Sequence, residues 1–290
     1  MSSEIDQKIK TILNRGKSHC WDPNKKRNCL LKLSMYPMGK DLLLTGSISS
    51  FWIDYLVNGD DATRQLSKNN KQLLLKALGH DSYIITSWQE IYKKLIRLEQ
   101  EHVKENCVLA SVPCGFMRDF FKLDFSKISN FRLVGVDSDQ MVIDKALELS
   151  HFYRLQDKIK TYCCDALTLP FENKFSFISS YGLNIYLKTF EQQTQLYNSL
   201  FKSLKPSGVL LIHFLTLPPF LSTNSDWKID KMNRETMLFD CFLLQSILKF
   251  PCHSFIKADK IAERLSNIGF TDIKIELDSY GVAAIVSARK

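Results

Sequence analysis

Glycine is scarce in this chain, 11 of 290 residues, about half of the usual share of roughly 7%. A loop built on several glycines, of the kind that lets a cofactor lie against the backbone, is therefore hard to place. No C-x-x-C pair occurs among the eight cysteines, and Cys163 and Cys164 are neighbours in an apolar run. A disulfide framework is not indicated, and reduced thiols of a cytoplasmic protein are the expectation. His19, Cys20 and Cys29 stand at no zinc spacing and have no evident fourth ligand, so no metal is expected. Long hydrophobic runs are missing as well. Residues 209–221 form the longest, broken by His213, Pro218 and Pro219 and too short to span a bilayer. The first 20 residues are polar and basic and lack the apolar segment of a secretory signal. No G-x-G-x-x-G occurs, and Gly16-Lys17-Ser18 has Thr11 where a phosphate loop needs glycine. An NAD-dependent oxidoreductase and a P-loop enzyme are both disfavoured.

What is present is ordinary globular material, 45% hydrophobic and 24% charged, which excludes a disordered or fibrous chain. The net charge of +8 is concentrated: residues 1–40 hold nine basic and three acidic side chains, including Lys25-Lys26-Arg27. Such a segment can attract nucleic acid or an acidic partner, although a solvated terminus explains it as well.

Two textures meet near residue 105. Residues 61–78 carry leucines at helical spacing and stop at Gly79, and Ser87-Trp-Gln-Glu90 reads as a capping box opening a helix through Leu98. Beyond 105, short apolar strands at 107–112, 131–136, 159–163, 175–179 and 209–215 alternate with helical patterns at 140–152 and 190–204. A helix at 257–268 then leads to two closely spaced strands, 273–277 and 282–286, an antiparallel hairpin. The expected fold is α/β: a Rossmann-like, mostly parallel seven-stranded sheet ending in an antiparallel hairpin, preceded by a helical N-terminal region. The expected organisation is a helical cap or substrate region at 1–105 and a sheet domain at 106–290. A helical insertion lies at about 220–256, centred on 237–248.

In such a sheet the ligand lies beyond the carboxyl ends of the strands. The segments to examine are therefore Pro113-Cys-Gly115 through Asp119, Asp137-Ser138, Asp165-Ala166 and Ser180-Tyr181 through Asn184. Asp137 stands 22 residues beyond Gly115 at a strand end, where a carboxylate can accept both hydroxyls of a ribose. Helix capping is the alternative role for Asp137 and Asp165.

The stretches Val134-Gly-Val-Asp137-Ser-Asp-Gln-Met141, Cys164-Asp-Ala166 with Leu169-Pro170, Leu204-Lys-Pro-Ser-Gly208 and Leu265-Ser-Asn-Ile-Gly269 occur in order on the expected element ends. With them the chain resembles the class I S-adenosylmethionine-dependent methyltransferases over roughly residues 105–290. The resemblance implies that Asp137 holds the ribose, that Ser138 and Met141 flank the adenosine, and that Asp165 and Ala166 meet the adenine. Pro113, Cys114 and Gly115 would cradle the methionine end through main-chain groups, Arg118 or Asp119 would reach its carboxylate or ammonium, and Ser180 and Tyr181 complete the cofactor-facing set. S-adenosylhomocysteine would be the product.

The first loop departs from the family pattern. An acidic residue and two or three glycines are usual there, whereas this chain reads Ala110-Ser-Val-Pro-Cys-Gly-Phe-Met117. Either the loop takes a different turn or the cofactor site is degraded, and the retained Asp137 and Asp165 favour the first. Methyl transfer from a sulfonium needs mainly positioning and exclusion of water, so a catalytic base is not assigned. Tyr181, Asn184 and His213 are the substrate-facing candidates, with His213 read first as a satisfied core histidine. A small or medium-sized acceptor is the leading expectation. The alternatives are RNA or protein methylation using residues 1–40, and a non-catalytic S-adenosylmethionine binder.

Overall fold

The computed structural model describes residues 2–14, 22–58, 82–250 and 254–290. The chain begins with helices α1 (Ser2–Asn14), α2 (Pro23–Leu33), α3 (Pro37–Thr45), α4 (Ser50–Asn58) and α5 (Tyr83–Gln100). Next come β1 (Cys107–Ser111), the single turn α6 (Arg118–Phe121), β2 (Phe131–Asp137), α7 (Gln140–Phe152) and β3 (Ile159–Cys163). They are followed by β4 (Phe175–Ser180), α8 (Phe190–Ser203), β5 (Leu204–Leu215) and α9 (Arg234–Phe242). The chain closes with α10 (Ala258–Ile268), β6 (Thr271–Leu277) and β7 (Ala283–Arg289). The helix expected at 61–78 lies outside the described residues.

Two compact units result, Met1–Gln89 with Lys228–Phe250, and Glu90–Trp227 with Pro251–Lys290. In the first, every regular element among the described residues is helical, and Leu30, Leu33, Leu56, Ile84, Phe239 and Phe242 are buried in its interior. The basic run is part of α2, where Lys25 pairs with Glu235 at 3.0 Å and Lys26 lies 6.0 Å from the Phe242 ring centre.

The capping box expected at Ser87 does not form. Helix α5 starts four residues earlier, at Tyr83, and Ser87 is fully buried inside it. Ser82 Oγ accepts the Ile85 N–H, while the Asp240 carboxylate from α9 accepts the Tyr83 N–H at 2.8 Å and the Ser82 hydroxyl at 2.6 Å. A carboxylate distant in sequence thus satisfies the free N–H groups of the first turn, which a local motif would otherwise have to do.

In the second unit, strands one to five pair in parallel and β7 runs antiparallel between β5 and β6, giving the order β3-β2-β1-β4-β5-β7-β6. Strands β1 and β2 and the 209–215 part of β5 are largely apolar because both faces of a parallel sheet are covered, while β4, Phe-Ser-Phe-Ile-Ser-Ser, is buried at five of its six positions although half of it is serine. The Lys205-Pro-Ser-Gly208 turn sits within β5, where the register to β4 shifts. One face packs Val134, Ile178, Ile212 and Phe214 with Leu196, Leu200, Ile261 and Leu265 of α8 and α10. The other face carries Leu109, Phe177 and Leu211, and His102, just after α5, stacks on Phe177 with ring centres 4.6 Å apart. The sheet is Rossmann-like, and its order reverses between β1 and β4, the switch point at which ligands bind in open α/β folds.

Candidate functional site

The first loop is stitched into the sheet from both sides. Val112 N–H donates to the Ser179 carbonyl at 2.8 Å, and Cys114 N–H to the Val136 carbonyl at 2.7 Å. Gly115, at φ 49°, donates its N–H to Asp137 Oδ2 at 3.2 Å, and Asp139 N–H donates to Asp137 Oδ1 at 3.2 Å. Asp137 therefore closes the end of β2 onto the loop, while the α7 cap is Asp139, which accepts the Met141 N–H at 2.9 Å. Burial pushes the Asp137 carboxyl up from its ordinary value, and the surrounding main-chain N–H groups oppose that.

The bulk of the glycine-poor loop is turned down onto the neighbouring strand. Cys114 and Met117 are both buried and meet Gly135 of β2, where an added Cβ would stand 2.7 Å from Met117 Sδ and 3.3 Å from Cys114 Sγ. At Gly115 an added Cβ would meet nothing within 4 Å. The close approach that needs glycine has moved from the loop to position 135, leaving open space beside Gly115 and the Asp137 carboxylate.

Next to this opening, Ser138 and Met141 are exposed, Met141 to 77%. Cys164 N–H donates to the Asp137 carbonyl at 2.9 Å and leads directly to Asp165. Asp165 is exposed and its Oδ1 accepts the Leu167 N–H at 2.9 Å, opening the 3-10 turn Ala166–Thr168. It thus performs a capping role while standing beside the Asp137 edge.

On the β4 side the candidates separate. Ser180 is buried within the sheet, and Asn184, in the turn Leu183–Ile185, lies against Tyr197 of α8. Tyr181 stacks on His213 with ring centres 4.6 Å apart and meets the edge of Tyr92 at 6.3 Å. Burial, and then the Asp119 carboxylate, push the Tyr181 hydroxyl above its ordinary range. His213 is a core residue but not a satisfied one: it is 1% exposed, and neither ring nitrogen has a hydrogen-bond partner. Burial lowers its pKa to about 3, so the ring is neutral. Of the two residues proposed for the methionine end, Arg118 directs Nη1 to the Tyr153 hydroxyl at 3.5 Å, whereas Asp119 acts on Cys114 and Tyr181.

Two residues were not anticipated. Glu99 is fully buried on α5, and burial together with the Asp119 carboxylate holds its carboxyl well above the usual range. Ser179, also fully buried, is the hydroxyl that opposes that shift. Glu99 could have been noticed, since it falls four and eight residues after Leu95 and Ile91 on the buried stripe of α5. Among the described residues no cluster of His, Cys, Asp and Glu is arranged to hold a metal, and the six described cysteines are free thiols. No helix among them is long and apolar enough to cross a membrane.

No family model and no curated protein matches the chain. Among solved structures, a Bordetella parapertussis protein described as a possible exported protein is 27% identical. It superposes with a TM-score of 0.87 over 100% of this chain and 95% of that one. The S-adenosylmethionine-dependent methyltransferase SibL, in its apo form, is 13% identical with a TM-score of 0.56, covering 99% of this chain and 74% of that one. The 4+2 cyclase SpnF is 15% identical with a TM-score of 0.50, covering 84% of this chain and 97% of that one. SibL and SpnF share this chain's fold. One is a methyltransferase and the other a cyclase, so the activity must be argued from the site.

Proposed function

We propose that this chain binds S-adenosylmethionine at the carboxyl ends of β1, β2 and β3 and transfers its methyl group to a small or medium-sized acceptor. The observation that carries the reading is the Asp137 carboxylate, tied to the Gly115 N–H beside open space at the topological switch point. The carboxylate has lone pairs beyond those used by Gly115 and Asp139, which suits a ribose diol. Asp165 and Ala166 would meet the adenine edge, Ser138 and Met141 would flank it, and the main chain of Pro113, Cys114 and Gly115 would hold the methionine end with Asp119. When bound, the cofactor supplies an electrophilic methyl on a sulfonium and leaves as the thioether S-adenosylhomocysteine.

The chain's own contribution is then positioning and exclusion of water. Tyr181 and His213 would line the acceptor side of the site. Burial holds the phenol above its usual range and makes the imidazole a weak base, so neither takes up a proton near neutral pH. The reading accordingly favours an acceptor atom that presents a lone pair without help. The six described free thiols support a reducing compartment such as the cytoplasm.

Calorimetric titration with S-adenosylmethionine tests the assignment. Asp137→Ala should weaken binding by about 10- to 100-fold, the loss expected when hydrogen bonds to a charged group are removed. Absence of binding to the wild type, or undiminished binding to the variant, refutes it. Binding without turnover of any acceptor would favour the non-catalytic reading. RNA binding that weakens steeply with salt would instead favour a nucleic-acid substrate.

A further inference from the structure

We propose that the outer face of α2 docks on an anionic lipid bilayer, with Leu31 and Met35 entering the headgroup region between flanking cations. This goes beyond the methyl-transfer reading and does not depend on it.

Helix α2 carries Lys25, Lys26, Arg27 and Lys32 and no acidic residue. Its inner face is Cys29, Leu30 and Leu33, all buried. At about 100° of rotation per residue, Leu31 falls on the opposite side of the helix. Met35 stands one turn beyond it: Ser34 keeps right-handed helical angles, and the Met35 N–H donates to the Lys32 carbonyl at 3.1 Å. Both are exposed, Leu31 to 40% and Met35 to 72%. The same rotation sets Arg27 on one flank of this ridge and Lys25 and Lys32 on the other, all three exposed.

A surface helix ordinarily turns charge to the solvent and apolar groups to the core. On α2 the middle of the outer face is apolar and the cations flank it. Lys25 is held by Glu235, whereas Arg27 and Lys32 are in no ion pair among the described residues. Their charge is left for an outside partner. A bilayer presents anionic headgroups in a plane above an apolar layer. It can therefore meet the ridge and both flanks at once, the long basic side chains reaching back to the headgroups. A nucleic acid offers phosphates without an apolar layer, and a second copy of this chain would set the same cations against one another. Charge and apolar surface together select the lipid.

Co-sedimentation of the full chain with vesicles tests this, using phosphatidylcholine alone and phosphatidylcholine mixed in equal parts with phosphatidylserine. Wild type should sediment with the mixed vesicles and not with the neutral ones, and added salt should weaken the binding. Leu31→Ser combined with Met35→Ser should lower the affinity about 5-fold or more, because the apolar ridge is gone. Arg27→Gln combined with Lys32→Gln should lower it about 25-fold, at roughly 5-fold per cation. All four positions are exposed, so melting curves should match the wild type; if a double variant melts lower, Met35→Ser or Arg27→Gln alone is read by the same criterion. Wild type that fails to bind the mixed vesicles, or binds both kinds equally, overturns the proposal. Loss confined to the charge variant overturns it as well, since attraction would then be by charge alone, and equal binding of a single-stranded RNA would identify a polyanion as the partner.

Discussion

Replacing Gly135 with alanine tests how a loop with one glycine is accommodated. The new methyl would stand 2.7 Å from Met117 Sδ and 3.3 Å from Cys114 Cβ, against a comfortable separation of roughly 3.5–4.0 Å. Met117 is a flexible side chain, but it is only 1% exposed and its backbone holds φ 54°, so the sulfur has little room to retreat. Overpacking of this kind costs about 1–3 kcal/mol. The expected loss of melting temperature is then a few degrees, at about 2–4 °C per kcal/mol for a domain of this size. Met117→Ala alone should cost about 2–5 kcal/mol by leaving a cavity. In that background, however, the alanine at 135 grows into the vacated space and should cost nothing or restore stability. The double-mutant cycle, measured by urea unfolding of all four proteins, should therefore give a coupling of about 1–3 kcal/mol. A coupling near zero, or a Gly135→Ala variant as stable as the wild type, refutes the claim that the loop's bulk is seated on β2. Because the Gly115 N–H reaches Asp137 from the same loop, Gly135→Ala should also weaken S-adenosylhomocysteine, and Met117→Ala should relieve that effect.

Two further expectations concern buried titratable groups. The Asp240 carboxyl is raised by burial from an ordinary 3.8 to about 7. A raised folded-state value means that its stabilising contribution is complete below about pH 4 and is lost as pH rises through about 7. Wild-type stability should accordingly fall across that window by up to ~4 kcal/mol more than that of Asp240→Asn, which lacks this contribution; parallel profiles in thermal melts at pH 4, 5.5, 7 and 8 would contradict it. His213→Phe keeps a ring against Tyr181 and removes two unpartnered nitrogens, so stability should be unchanged or higher by about 1 kcal/mol. A loss above about 2 kcal/mol in urea unfolding would mean that the imidazole has a partner that matters for folding.

The alternation of apolar strands and helical patterns was enough to place β1 to β4 and α7 within a residue or two, whereas β5 begins five residues before the expected 209 and β7 runs three residues past the expected 286. Local rules suffice for β1 to β4 and α7 because a strand covered on both faces is largely apolar and a crossover helix shows a 3.6-residue period. The same rules failed at Ser87, where the sequence contains a capping box but the cap is provided by Asp240, more than 150 residues away along the chain. Glu99 went unnoticed for a related reason: beside Lys93, Lys94 and Arg97 it reads as another member of a charged face, and only its phase on the helix marks it as buried.

The candidate site divides in the same way. Asp137, Asp165 and Gly115 were legible because strand ends and a 22-residue spacing are properties of the chain alone. The scarcity of glycine was legible too, but not its consequence. Whether Cys114 and Met117 fill the space beside Asp137 or are seated against the sheet depends on which strand lies beside β1. That strand is β2, and it offers Gly135 at the point of contact. The grouping of Glu99, Asp119, Ser179, Tyr181 and His213 is likewise tertiary, since it draws on α5, α6 and two strands. Periodicity, turn chemistry and spacing are local quantities and determined the elements and their order. The burial of charge, the orphaned polar atoms and the close approach at one glycine are relations between distant segments, and only the packed sheet decides them.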